Sequence, residues 1–388
     1  MKRIASIDIF RALTMLTMLF VNDFAGMSGL PHWLHHAAAD EDMLGFSDLV
    51  FPAFLFCVGL SVPFAVEARF RKGDNALQVF GHIAGRTLAL VVMGIFSMNS
   101  GGVQGGLSRQ VFTLLAVTGY FLVWNSWPRG KDGRKPQWVC LMQLLGGLLL
   151  AGLVLYKDLH GMPFRHGWWG ILGLIGWAYR PCAAAFVLLK GNFKRLAGFW
   201  ILTLLLCILN ASRAIPAEYS VRALILGFWP GGWTHPALCA SGLFTSMLML
   251  RYGAEPRKLS GRLALYAVCM GLLGCLCHRF WIISKIQATP TWLFFCVAAS
   301  VAVFTVLYGI ADVKGHTQWA RIIAPAGTAT LTCYTIPYLW YAVQQLLGLR
   351  WPAVLTHGLP GLVKALVFAF VIIGLTRLFE KMHIKLKL

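Results

Sequence analysis

The sequence predicts an all-α fold, a polytopic membrane bundle of about 12 (10–12) transmembrane helices, and three observations predict it. Of 388 residues, 58% are hydrophobic and 12% charged, against roughly 45–50% and 25% in a soluble domain. Mean hydropathy is +0.69. Apolar runs such as Trp138–Tyr156 and Phe199–Leu209 alternate with short basic loops, and each crossing of a bilayer needs ~20 mostly apolar residues. A soluble enzyme is excluded.

Apolar windows bounded by charge place the spans, in order, near 6–24, 48–67, 80–98, 110–127, 138–156, 168–189, 197–211, 234–250, 262–280, 291–311, 323–347 and 360–379. If Lys2 and Arg3 are cytoplasmic and spans alternate, the inside loops hold Arg69, Arg71 and Lys72; Arg129, Lys131, Arg134 and Lys135; Lys190, Lys194 and Arg195. Further along they hold Arg251, Arg257, Lys258 and Arg262; Lys314 and Arg321; Arg377, Lys381, Lys385 and Lys387. That is about 22 of the 34 Lys and Arg, the bias expected of cytoplasmic loops, and it puts both termini inside. Orientation, not nucleic acid, accounts for the net charge of +20. An even span count follows, so ten is the next candidate after twelve, with the 168–211 pair the one open to a different reading. Asp8 and Arg11 interrupt the first apolar stretch, which argues against a cleaved signal peptide. The hydrophilic stretches are short loops, so residues 1–388 are read as one domain. The ten cysteines fall in or beside spans and read as packing residues, and Cys275-x-Cys277-His278 lacks a second ligand pair, so no metal is expected.

Two connections depart from short, bland loops. Gly26–Ser47 gathers His32, His35, His36, Asp40, Glu41 and Asp42, and Arg279–Thr291 runs into Trp292. Ionisable groups beside apolar spans mark candidate sites. Asp8 and Arg11 lie three apart on one helical face, either as a structural ion pair or as a site for an anionic cofactor. Asn22 closes the first span with an amide, and His36 follows 14 residues later with an imidazole suited to acyl or proton transfer. Interfacial solvation is the competing reading of that histidine.

Arg3-x2-Ser6-x-Asp8-x2-Arg11, Val21-Asn22, His36, Asp48-Leu49-Val50-Phe51-Pro52, Asp312-Val313-Lys314-Gly315 and Gly327-x3-Leu331-x2-Tyr334 together resemble the heparan-α-glucosaminide N-acetyltransferase family and its bacterial relatives. The resemblance implies a transmembrane acyltransferase that takes acetyl from cytosolic acetyl-CoA and delivers it to an amino sugar or sugar hydroxyl on the periplasmic side of a bacterial inner membrane. It implies His36 as the active histidine and Asn22 as its partner; on physical grounds Asp48 would then fix the histidine tautomer or the loop. Asp8, Arg11, Asp312 and Lys314 are then expected at the acetyl-CoA end, where Arg71 and Lys72 could also meet phosphates. His235, Lys285 and Trp292 are expected at the acceptor, although an interfacial Trp/Lys belt is the commoner explanation of the last two and His235 faces the same choice. The chain differs from the family pattern at Ala12, in Gln110–Tyr120 and at Ala329. Expected partners are the lipid bilayer, acetyl-CoA, a glycan or amino-sugar acceptor and a possible homodimeric copy. A secondary transporter for a sugar or organic anion is the alternative, disfavoured by the lack of self-similarity between residues 1–190 and 197–388.

Overall fold

The computed structural model describes residues 4–103, 106–128, 130, 135–214 and 229–388. Lys2, Arg3, Arg129, Lys131 and Arg134, which enter the loop-charge argument, lie outside the described residues. Helices are α1 (Ala5–Phe24), α2 (Phe46–Phe70), α3 (Ala76–Met98), α4 (Arg109–Trp124), α5 (Gln137–Leu159) and α6 (Gly170–Leu188). They continue as α7 (Phe193–Ser212), α8 (Thr234–Tyr252), α9 (Pro256–Cys277), α10 (Pro290–Tyr308), α11 (Thr330–Leu346) and α12 (Gly358–Lys381). Each expected span has a counterpart among them. No strand forms among the described residues beyond two isolated bridges.

Among the described residues, nine helices are long and apolar enough to cross a membrane, as an all-helical integral membrane protein requires. The other three have physical reasons to fall short. Helix α4 has 16 residues, and α11 has 17 with Pro337 inside it. Helix α8 is walled in by protein, with Thr234, Ser241, Thr245 and Ser246 all buried. A helix with little lipid contact has less need of an apolar surface.

The contacts divide the chain into two compact units. One contains residues up to Thr14, Leu30–Leu90 and Leu174–Arg321; the other contains Met15–Gly29, Val91–Gly173 and Ile322–Leu388. Within the first unit α2 crosses α8 at paired glycines. A Cβ on Gly59 would strike the Cys239 carbonyl, and one on Gly242 would strike that of Phe56. Small residues let the two backbones touch, and the Ser246 hydroxyl donates to the Leu60 carbonyl across the crossing. Phe10 of α1 meets Phe56 and Phe304 edge-on. The start of α1 is capped from far along the chain: the Ala5 and Ser6 N–H groups donate to the two Asp312 carboxylate oxygens at 2.9 and 3.0 Å. A carboxylate there satisfies orphan donors and complements the helix dipole.

The second unit packs α4 on α5 through Gly119 and Gly146 and holds charge in its interior. Asp23 accepts from Lys364 at 2.6 Å and from the Tyr341 hydroxyl at 2.7 Å. Lys157 donates to the Asn99 and Gly101 carbonyls at 2.6 and 3.0 Å, just beyond the end of α3. A buried charge needs such partners.

Candidate functional site

The start of α2 is built to hold a carboxylate. Gly45 precedes it in extended conformation, and any Cβ at that position would collide with the His35 carbonyl. The Ser47 hydroxyl donates to the Leu34 carbonyl, tying the helix to the loop before it. Asp48 therefore sits in the first turn, 1% exposed, where the helix dipole favours a negative charge.

Two groups from the preceding loop satisfy that carboxylate. The Ala37 N–H donates to Oδ2 at 3.0 Å, and His36 Nδ1 lies 2.6 Å from Oδ1. The Trp292 indole N–H donates to the Asp48 main-chain carbonyl at 3.3 Å, fixing the same turn from α10. Lys285 completes the group, with Nζ 3.6 Å from Asp48 Oδ1 and 3.1 Å from His36 Nδ1.

One ring nitrogen cannot serve both neighbours. If Nδ1 carries its proton it donates to Asp48 and has no lone pair for Lys285; without the proton it accepts from Lys285 and faces Asp48 lone pair to lone pair. The shorter, charge-assisted contact assigns the proton to Nδ1. Lys285 is then the counter-ion of Asp48. Among the described residues the hydrogen-bond contacts of His36 fall on Nδ1, which leaves the Nε2 lone pair for a substrate, and the side chain is 43% exposed. A carboxylate that fixes the tautomer of an accessible imidazole is the arrangement of a general base or nucleophile. Burial holds the Lys285 ammonium below the ordinary lysine range, and Asp48 pulls it part of the way back.

The remaining expected residues are distributed unevenly. Asn22 belongs to the other unit, where it is exposed at the end of α1. Trp292 is fully buried, and a ring with no open face cannot stack on a sugar; its place is behind Asp48. His235 is also buried, its Nδ1–H donating to the Pro230 carbonyl at 3.2 Å and its ring edge-on to Phe51 and Trp292. Asp8 pairs with Arg11 at 3.4 Å, and Arg11 also donates to the Ser61 hydroxyl at 2.6 Å. Asp312 is engaged as the α1 cap, while Lys314 is exposed on the turn that follows. Arg71 and Lys72 are exposed beyond α2.

A family model described as a domain of unknown function, DUF5009, matches residues 3–234. The chain belongs to the DUF5009 family. The DUF5009 match contains Asn22, His36 and Asp48, while Lys285 and Trp292 lie beyond it. Two curated relatives are named heparan-alpha-glucosaminide N-acetyltransferase. The human protein is 32% identical over 127 residues, which cover 31% of this DUF5009 chain and 18% of the relative. The mouse protein is 23% identical over 356 residues, 81% of this chain and 50% of the relative. The chain thus spans half or less of the length of these relatives.

Proposed function

We propose that this DUF5009 protein is a membrane acetyltransferase that moves an acetyl group from acetyl-CoA to an amino sugar or sugar hydroxyl, with His36 as its general base. The observation that carries the reading is the buried Asp48 carboxylate 2.6 Å from Nδ1 of a half-exposed histidine. The curated relatives, named as N-acetyltransferases, supply the reaction class.

In the proposed reaction the acceptor nitrogen or oxygen attacks the thioester carbonyl while His36 Nε2 takes its proton. The carbon–sulfur bond then breaks, CoA leaves as a thiolate, and the imidazolium returns the proton to the sulfur. Asp48 stabilises the transient imidazolium, and Lys285 balances the carboxylate between turnovers. Arg11 and Lys314 are assigned to the acetyl-CoA phosphates, the first as a permanently charged guanidinium and the second as an exposed ammonium. The basic loops favour an inner-membrane protein with cytoplasmic termini and the acceptor on the opposite side.

The test is release of free CoA by purified protein in detergent, given acetyl-CoA with and without glucosamine. The expected result is CoA release that depends on the acceptor, with no acetylated protein formed from acetyl-CoA alone. Proven acetyl-CoA binding with no release for any amino sugar or sugar hydroxyl offered would overturn the reading. Uptake of unmodified sugar into vesicles containing the protein would favour transport instead.

A further inference from the structure

We propose that Asp42 and His278 are positioning residues, a clasp that fastens the α9–α10 loop to the α1–α2 loop and thereby holds Lys285 beside Asp48 and His36. Asp42 accepts from the Ile283 N–H at 2.8 Å and from His278 Nε2–H at 2.8 Å. Three residues earlier, the Ala39 carbonyl accepts from the Ser284 hydroxyl at 2.9 Å and from the Gln287 amide at 2.6 Å. The ties thus grip the α9–α10 loop on both sides of Lys285.

The piece they grip is stiff. Ser284 N–H donates to the Thr289 hydroxyl at 3.1 Å, and Thr289 N–H donates back to the Ser284 carbonyl at 3.1 Å. Ala288 lies in the left-handed region at φ 52°, a conformation that non-glycine residues adopt only when their surroundings impose it. Residues 284–289 therefore move as one turn, and what anchors the turn places the lysine.

An anchor is needed because Lys285 gains little by staying. Its side chain is 26% exposed, and withdrawing an ammonium from water is unfavourable unless close charge and geometry offset it. The nearest carboxylate oxygen is 3.6 Å away, too far for a strong hydrogen bond. Lys285 is therefore a weak anchor for the loop that carries it. The clasp supplies the missing hold through groups that do not touch His36.

The effect on catalysis rests on the function proposed above, whereas the placement of the loop does not, so two readouts separate them. The first is hydrogen exchange of the full chain in detergent. Asp42→Ala is expected to speed exchange of the Ile283–Lys285 amides at least about tenfold and leave α2 unchanged. Asp42→Asn, whose amide oxygen still accepts from the Ile283 N–H, should restore most of the protection. The second is a kinetic cycle in which Asp42→Ala and Lys285→Met each lower kcat by similar factors and the double variant is no slower than Lys285→Met alone. Unchanged exchange in Asp42→Ala overturns the clasp whatever the activity. Multiplicative losses in the cycle overturn its action through Lys285. A wild-type chain that shows the exchange response but transfers no acetyl group upholds the clasp and fails the functional reading.

Discussion

Two charged clusters in the same unit look alike in sequence and differ in what their atoms are left to do. At the start of α1, Asp312 spends both carboxylate oxygens on the Ala5 and Ser6 N–H groups. At the start of α2, Asp48 is also saturated, but one of its partners is an imidazole whose second nitrogen remains for chemistry. Both arrangements stabilise a helix N-terminus. Only the second uses a titratable ring as the donor, and that substitution turns a cap into a candidate active site.

The largest expected effect at the α2 cluster, short of removing the histidine, is that of Asp48→Asn. An amide in place of the carboxylate can present its NH₂ to Nδ1, favour the wrong tautomer and leave a forming imidazolium unpaired. Transfer should fall by on the order of 10³-fold or more, as when other catalytic imidazoles lose their carboxylate partner. A loss below about tenfold, measured on folded protein, would reduce Asp48 to a helix cap like Asp312.

Lys285→Met comes next. It removes the counter-ion but leaves the His36–Asp48 contact, so turnover should fall by about tenfold, the scale of one modest charge interaction. Stability at neutral pH sets two opposed terms against each other: the variant no longer withdraws an ammonium from water, but it leaves the buried Asp48 carboxylate without its counter-ion. The pH dependence has a defined sign. The fold disfavours the charged form of Lys285, so in the wild type this penalty is present below its lowered pKa and is relieved as pH rises from there toward the ordinary lysine value, ~10.4. The variant should lack that alkaline gain in thermal midpoint. An equal gain in both proteins would show that Lys285 is as well solvated as any surface lysine.

The smallest effect belongs to the α1 cluster. Asp312→Ala should cost roughly 0.5–2 kcal/mol, the usual range for a lost N-cap, and leave the KM for acetyl-CoA unchanged. A raised KM with no loss of stability would move Asp312 from the fold to the donor site and erase the contrast between the clusters.

The sequence made the helices and the His36–Asp48 pair legible because both depend on local signals: apolar windows of bilayer length, and an ionisable loop next to a helix start. The clasp was not legible, since Asp42 and His278 are 236 positions apart and no periodicity links two loops. The Cys275-x-Cys277-His278 motif lacks the ligands of a metal site, and its histidine is the partner of Asp42. Asp312 reads as a cytoplasmic-end charge until the fold brings it to Ala5 across 307 positions. Trp292 and His235 stand at helix starts next to polar residues, and an interfacial aromatic has that same surrounding sequence. Their burial follows from packing around α2 that only three dimensions display.

Of three neighbouring loop histidines, His36 is the one proposed to carry the chemistry. The direct measurement compares acceptor-dependent CoA release by His36→Ala and His35→Ala with that of the wild type, at matched expression and acetyl-CoA binding. His36→Ala removes a half-exposed side chain and opens no core cavity, so the protein should fold. No transfer above background is expected for His36→Ala, and near wild-type transfer for His35→Ala. Near wild-type transfer by His36→Ala would contradict it.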